Sequence, residues 1–230
     1  MVARLVLVAT VTWAGCAFDS SGISQPDPET EAGVDAALGQ PGIDARAAAD
    51  ASDPVTTFQQ DVAGYTGAVD TELREEEPAT ERGGAPEIGW EDDPPQVRAL
   101  LIRFGGIFGV NTNQIPVGAQ IIAASLSYAV RDTGDDGAVH EMVTDWDGAS
   151  TWASFTEFPS GDLGPALMTA PGDGGRQQVD VTASLERWSN APGENLGWAI
   201  LGVDTSGVGV ASSEFENTID RPRLVVQWRP

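Results

Sequence analysis

The chain has 230 residues, and its 35 acidic residues against 12 basic ones give a formal net charge of −23. This charge excludes nucleic acid as a partner, because two polyanions repel each other. All 12 basic residues are Arg, and the chain has one His, two Tyr and one Cys, which leaves few side chains for lysine chemistry, a His-based hydrolase or a zinc site. We therefore expect a protein that is not an enzyme.

The first segment, residues 1–15, has the pattern of an export signal. Arg4 supplies a positive charge, and the run of about ten apolar residues after it is too short to span the ~30 Å core of a bilayer. The segment ends in Ala14, Gly15 and Cys16, which is similar to the bacterial lipobox, where a Cys is lipidated after cleavage. We expect a lipoprotein-type signal peptide with lipidation at Cys16, and ordinary secretion is the alternative.

Lipidation at Cys16 would also account for the single cysteine, which cannot form an internal disulfide. The lipid would be the protein's only contact with the membrane. Ala17, rather than Asp, follows the cysteine and favours the outer membrane. The expected location is the outer membrane or cell surface, or otherwise the extracellular space.

Residues 16–54 form the next segment, which is rich in Pro, Gly, Ala, Ser and acidic residues. Its few apolar residues would not offset the entropy lost on ordering the chain. We expect a disordered acidic tether.

Residues 55–230 change to alternating apolar and polar positions, interrupted by turn residues, which is typical of β-strands. The clearest strand is 121–130, where Ile122, Ala124, Leu126 and Tyr128 would share one face. The nine predicted strands are 56–60, 69–74, 98–104, 121–130, 138–143, 177–182, 198–203, 208–212 and 223–228.

One short helix is expected, over residues 182–189, with Leu185 and Trp188 facing inward. Many short strands with so little helix predict an all-β fold, a single antiparallel β-sandwich.

A series of motifs runs through this domain in a fixed order. They include Phe58-Gln59-Gln60, Gly64-Tyr65-Thr66-Gly67, Val69-Asp70-Thr71, Leu100-Leu101-Ile102-Arg103-Phe104, Thr144-Asp145-Trp146-Asp147, Asn195-Leu196-Gly197-Trp198, Ser213-Glu214 and Arg221-Pro222-Arg223-Leu224. In this order they resemble the DNRLRE domain of secreted bacterial proteins, which overlaps the alginate-binding carbohydrate-binding module family 96. The resemblance implies a jelly-roll-like β-sandwich that serves as an accessory module and binds polysaccharide.

The chain differs from that family in two respects. Glu81 and Arg82 stand where family members tend to have Asn and an aromatic residue. The domain also has 27 acidic residues against ten Arg, a net charge of −17, which would repel an anionic polymer such as alginate. We therefore expect a neutral polysaccharide.

Sugar binding requires an exposed flat aromatic side chain, on which a sugar ring stacks, with polar groups around it. Trp90, which precedes an acidic, proline-containing turn, is the predicted platform. Arg98 and Arg103 are the predicted guanidinium partners. Trp146 and Trp152 are expected to attach a long loop to the sandwich instead.

Asp70 and Glu214 lie in motifs near the two ends of the domain, and a structural calcium ion could join them. No segment matches an EF-hand loop, so solvated acidic turns are the alternative.

Two other functions stay open. The first is a structural or adhesive surface lipoprotein that binds protein or matrix. The second, more remote, is a polysaccharide lyase or hydrolase that uses His140 with Tyr65 or Tyr128. We expect His140 to have a structural role, because it lies within a predicted strand.

Overall fold

A computed structural model of the protein describes residues 53–230. The predicted signal segment, Cys16 and all but the last two residues of the predicted tether lie outside the described residues. No helix within residues 53–230 is long and apolar enough to cross a membrane.

The described chain forms strands with one α-helix. The elements are β1 (Val55–Gln59), β2 (Ala68–Arg74), β3 (Glu87–Trp90), β4 (Arg98–Phe104), β5 (Gln120–Asp132), β6 (Gly137–Met142), β7 (Leu163–Ala170), β8 (Gly175–Asp180), α1 (Thr182–Asn190), β9 (Trp198–Gly202), β10 (Val208–Ala211) and β11 (Arg223–Arg229). Short 3₁₀ turns occur at Trp152–Ser154 and Pro192–Glu194.

The strands make two antiparallel sheets that pack as a sandwich. The first sheet has the order β1-β11-β5-β10-β3, and β8 also pairs with β5. The second sheet has the order β2-β4-β9-β6-β7. The chain passes from one sheet to the other at most of its connections, which agrees with the jelly-roll-like sandwich that the resemblance implies.

The main core lies between the sheets. Phe58, Leu126 and Leu224 of the first sheet face Ile102 and Ile200 of the second, and each is at most 3% exposed. Burial of this apolar surface supplies most of the free energy that stabilises the sandwich.

Helix α1 closes one side of this core. Leu185 and Trp188 are buried as predicted. The Trp188 ring lies 4.8 Å from that of Trp198, centroid to centroid. The Trp198 indole N–H donates a hydrogen bond of 3.1 Å to the Ser184 hydroxyl, which satisfies its polar group in the interior.

A second apolar cluster covers the outer face of the second sheet. Leu73, Leu101 and Ala199 belong to its strands, and Trp146 and Phe155 belong to the long loop after β6. This loop therefore forms an extra layer over the sheet, and one end of that layer forms a wall of the candidate site described below.

The nine predicted strands are all present, but β3 and β7 were not predicted. Strand β3 has only four residues, which is too few for an alternating pattern. Strand β7 contains Gly164 and Pro165, which normally indicate a break. Among the described strands it pairs with β6 alone and lies at the edge of the second sheet, where proline is tolerated.

Candidate functional site

Trp90 is fully buried, so the prediction that it forms an exposed sugar platform is wrong. It ends β3, pairs with Val208 of β10, and directs its ring into the core. Its indole N–H donates to the Asp135 carbonyl oxygen at 3.1 Å, and its ring lies edge-on to Tyr128 at 5.8 Å. The acidic turn after it is exposed, but the tryptophan before that turn is not.

Partly exposed aromatic side chains are few in the described part of the chain. Most aromatic side chains there are buried, and four are half-buried: Tyr65, Trp152, Phe215 and Trp228. Trp152 is the one that lies in a cleft together with a predicted ligand-binding residue, Arg98.

We call this site the Trp152 cleft. It has a volume of about 440 Å³, which lies within the range of small-molecule sites. Its apolar wall is formed by Trp152, Phe158, Pro159, Pro94 and Leu201, and its polar wall by Glu75, Glu91, Asp92 and Arg98.

The long loop supplies the aromatic wall. Trp152 lies in the 3₁₀ turn, where Thr151 and Ser154 form a capping box that fixes the local backbone. The Phe158 ring packs edge-on against Trp152 at 5.2 Å between centroids. Trp152 therefore has one neighbour that orients its ring and one side open to the cleft.

Arg98 lies in the polar wall at the start of β4. Its Nη2 and Nε atoms lie 2.6 and 2.8 Å from Glu91 Oε2. The backbones of the same two residues also exchange hydrogen bonds of 3.0 and 3.1 Å. The guanidinium is therefore held at the rim, and its charge is largely balanced by Glu91.

Glu72 of strand β2 lies close to Arg98. Its side chain is only 3% exposed, and one of its oxygens lies 4.0 Å from Arg98 Nη1. Arg74 forms an ion pair with the same carboxylate, and Arg82 Nε lies 3.8 Å from it. Three guanidinium groups thus lie near one buried carboxylate, and Arg74 is the one that forms a hydrogen bond with it.

Arg103 does not share the Trp152 cleft. It lies near the other end of β4, and strand alternation directs it to the opposite face from Arg98. It donates hydrogen bonds to Asp145 Oδ1 at 2.8 Å and to the Trp146 carbonyl oxygen at 2.7 Å, and its guanidinium lies 5.2 Å from the Trp146 ring. Its contacts attach the long loop to the sheet, so its predicted ligand-binding role has no support.

Trp146 and Trp152 both pack in the apolar cluster on the outer face of the second sheet, as predicted, but they differ in exposure. Trp146 is 4% exposed, and its indole N–H donates to the Leu196 carbonyl oxygen at 2.7 Å. Trp146 therefore attaches the loop, as predicted. Trp152 was missed as a site residue because no local motif distinguishes an aromatic residue at the edge of a loop layer from one beneath it.

Asp70 lies between the sheets and is 2% exposed. Its Oδ2 accepts a hydrogen bond of 2.7 Å from the Ser213 backbone N–H. Its Oδ1 has no hydrogen-bond partner among the described residues. Burial raises the pKa of this carboxyl to about 7.

Glu214 follows Ser213 and is exposed. Its charge acts on Asp70 and raises the Asp70 pKa further, whereas Arg221 lowers it. Calcium takes six to eight oxygen ligands. Within residues 53–230 no three carboxylate, His or Cys side chains come together as a metal site, so a calcium ion between Asp70 and Glu214 stays a prediction.

The residues of the predicted lyase alternative each have a local structural partner. His140 Nδ1 lies 2.9 Å from the Gly164 carbonyl oxygen. The Tyr65 and Tyr128 hydroxyls donate to the carbonyl oxygens of Gly105 and Pro171, both at 2.9 Å. Burial raises the pKa of both phenols above the usual value, so both keep their protons near neutral pH.

Comparison with known protein families gives no match for this chain, and comparison with curated proteins gives none either. The fold and the Trp152 cleft are therefore the basis for assigning a function.

Proposed function

We propose that the protein is a non-catalytic module that binds a neutral polysaccharide in the Trp152 cleft. The observation that carries the proposal is a cleft of about 440 Å³ that is lined both by a partly exposed indole and by a fixed arginine–carboxylate pair. This is the combination of aromatic and polar groups that sugar recognition requires.

Each wall of the cleft has a chemical role. The Trp152 indole provides a flat surface for the C–H face of a sugar ring. Glu75 and Asp92, both exposed, accept hydrogen bonds from sugar hydroxyls. Arg98 donates to hydroxyl oxygens, and its pairing with Glu91 limits the entropy lost when a ligand binds.

The charge of the cleft favours a neutral ligand. Three carboxylates and one guanidinium line it, and the domain carries −17. A uronate or sulfated polymer would be repelled by both. The proposed ligand therefore differs from the alginate that the DNRLRE resemblance implies.

The proposed setting is the cell surface. An export signal, a lipid anchor on Cys16 and a flexible acidic tether would present the module outside the cell. Many anchored copies acting together would convert weak single-site binding into firm adhesion to a polymer.

A glycan array with the purified protein tests this proposal. We expect binding to neutral polysaccharides, with and without calcium, and a loss of about tenfold or more in Trp152→Ala. Trp152→Phe should recover part of the affinity. Phe215→Ala is the matched control, since Phe215 is partly exposed but lies outside the cleft, against Arg131.

Two further assays, binding to matrix proteins and incubation with candidate polysaccharides, separate the alternatives. Binding to matrix proteins but to no glycan would favour the adhesive function. Release of reducing ends or unsaturated products from a bound polysaccharide would contradict the non-catalytic assignment.

A further inference from the structure

Strand β1 lies at one edge of the first sheet. It pairs with β11 on one side, and no strand of the described residues 53–230 pairs with its other side. The open side is a row of backbone groups onto which another extended chain could add.

The register identifies which residues face the open side. The Trp228 N–H donates to the Pro54 carbonyl oxygen at 3.0 Å, so Pro54, Thr56 and Phe58 direct their backbone groups toward β11. Val55 and Thr57 then direct theirs outward. The Gln59 carbonyl, also outward, accepts the Val62 N–H at 3.1 Å, which agrees with this alternation.

This edge lacks the devices that usually prevent strand addition. The strand Val55–Gln59 has no charged residue, proline or bulge, and Val55 is 61% exposed. Its β-branched residues favour the extended conformation. Within residues 53–230 the outward N–H and C=O groups of Val55 and Thr57 have no hydrogen-bond partner.

A groove of about 420 Å³ lies beside the edge. The loop that contains Asn111, Thr112 and Asn113 also lines it, and the side chains of these three residues have no hydrogen-bond partners among the described residues. Every residue that lines the groove is uncharged, although the domain carries −17. The groove shares no residue with the Trp152 cleft.

We propose that this groove binds an extended peptide segment of a partner protein, which adds to β1 as an antiparallel or parallel strand. The residues within the groove would be uncharged, to match its walls, and basic residues beyond it would complement the acidic domain. Asn111 and Asn113 would contact the outer side of the added strand. A second copy of this chain is a poor occupant because two domains of the same high charge repel each other.

Amide hydrogen exchange of the full chain, measured by NMR, tests this proposal. The probe is a synthetic peptide of alternating Val and Thr with Lys at both ends. We expect the Val55 and Thr57 amides to exchange fast in the free protein and about tenfold or more slowly with saturating peptide. The Thr56 and Phe58 amides, already in the ladder, should not change.

Two controls make the result specific. Thr57→Pro removes an outward N–H but no ladder bond, so it should abolish peptide binding and leave the fold intact. Val117→Pro is the matched variant at another exposed position whose N–H makes no hydrogen bond within the described residues, and its folding is checked by circular dichroism; Val117→Lys replaces it if it unfolds. Peptide binding should be unchanged in the control.

Three results would overturn the proposal. They are Val55 and Thr57 amides that are already protected in the free protein, peptide binding that leaves their exchange unchanged, and protection by neutral oligosaccharides but not by the peptide.

Discussion

The buried carboxylate of Asp70 accepts a 2.7 Å hydrogen bond from the backbone N–H of Ser213, and this bond joins strand β2 of one sheet to the segment after β10 of the other. The second oxygen of Asp70 has no partner among the described residues. A buried carboxyl with a single donor holds its proton more tightly than an exposed one, which is why burial raises the Asp70 pKa to about 7.

This relationship predicts how stability depends on pH. The folded pKa lies above the ordinary Asp value of 3.8, so the folded state binds the proton more tightly than the unfolded state does. The contribution of Asp70 is complete below about pH 4 and is lost as the pH rises to about 7. The loss is on the order of 4 kcal/mol.

Urea denaturation at several pH values measures this effect, with Asp70→Asn as the test variant. Asn keeps an oxygen for the Ser213 N–H and does not titrate. We expect its free energy of unfolding to fall less than that of the wild type between pH 4 and 7. Equal slopes for the two proteins would show that Asp70 has no raised pKa.

The turn between β1 and β2 contains a second testable feature. Ala63 has φ +52°, in the left-handed region that side chains with a Cβ disfavour. Ala63→Gly should therefore raise the free energy of unfolding by about 1 kcal/mol. Denaturation of the purified variant measures it.

The neighbouring Gly64 provides the reverse experiment. Its φ is +79°, and a Cβ there would meet no atom within 4 Å, so the penalty of Gly64→Ala is purely conformational. We expect a loss of about 1–2 kcal/mol. A stabilising Gly64→Ala or a destabilising Ala63→Gly would contradict this backbone conformation.

Arg103 and Asp145 should differ in their contribution to stability, although they form one ion pair. The Asp145 side chain is 80% exposed, so Asp145→Asn should cost less than about 1 kcal/mol. Arg103→Ala also removes the hydrogen bond to the Trp146 carbonyl and the contact with the Trp146 ring. It should cost about 2 kcal/mol.

NMR titration provides an independent readout of the same pair. The hydrogen bond from Arg103 lowers the pKa of Asp145. We expect that pKa to return toward its ordinary value in Arg103→Ala. An unchanged Asp145 titration would mean that the ion pair does not form in solution.

The sequence predicts the sandwich well because alternation records which face of a strand is buried. Ala124, Leu126 and Tyr128 face the core as expected. Ile122 does not: the register between β5 and β11 shifts beside it, and Ile121 is buried in its place. A bulge of this kind depends on the partner strand, so alternation within one strand does not reveal it.

The candidate site was predicted only in part. Arg98 lies in the Trp152 cleft as a ligand-binding role requires, whereas Trp90 and Arg103 have structural contacts. Trp90 is buried because it belongs to the four-residue strand β3, which is too short to show an alternating pattern. Exposure of Trp152 depends on how the long loop packs on the outer face of the second sheet. Residue type and local pattern carry no information on that packing, which explains why Trp90 was preferred to Trp152.

The most direct test of the proposed function follows the indole N–H signals of the ¹⁵N-labelled protein during titration with neutral oligosaccharides of glucan, mannan and xylan. We predict that the Trp152 signal shifts with saturation by at least one of them, while those of the buried Trp90, Trp188 and Trp198 stay in place. Uronate oligosaccharides should leave all four unchanged. A Trp152 signal that no neutral oligosaccharide moves, or that only uronates move, would contradict the account.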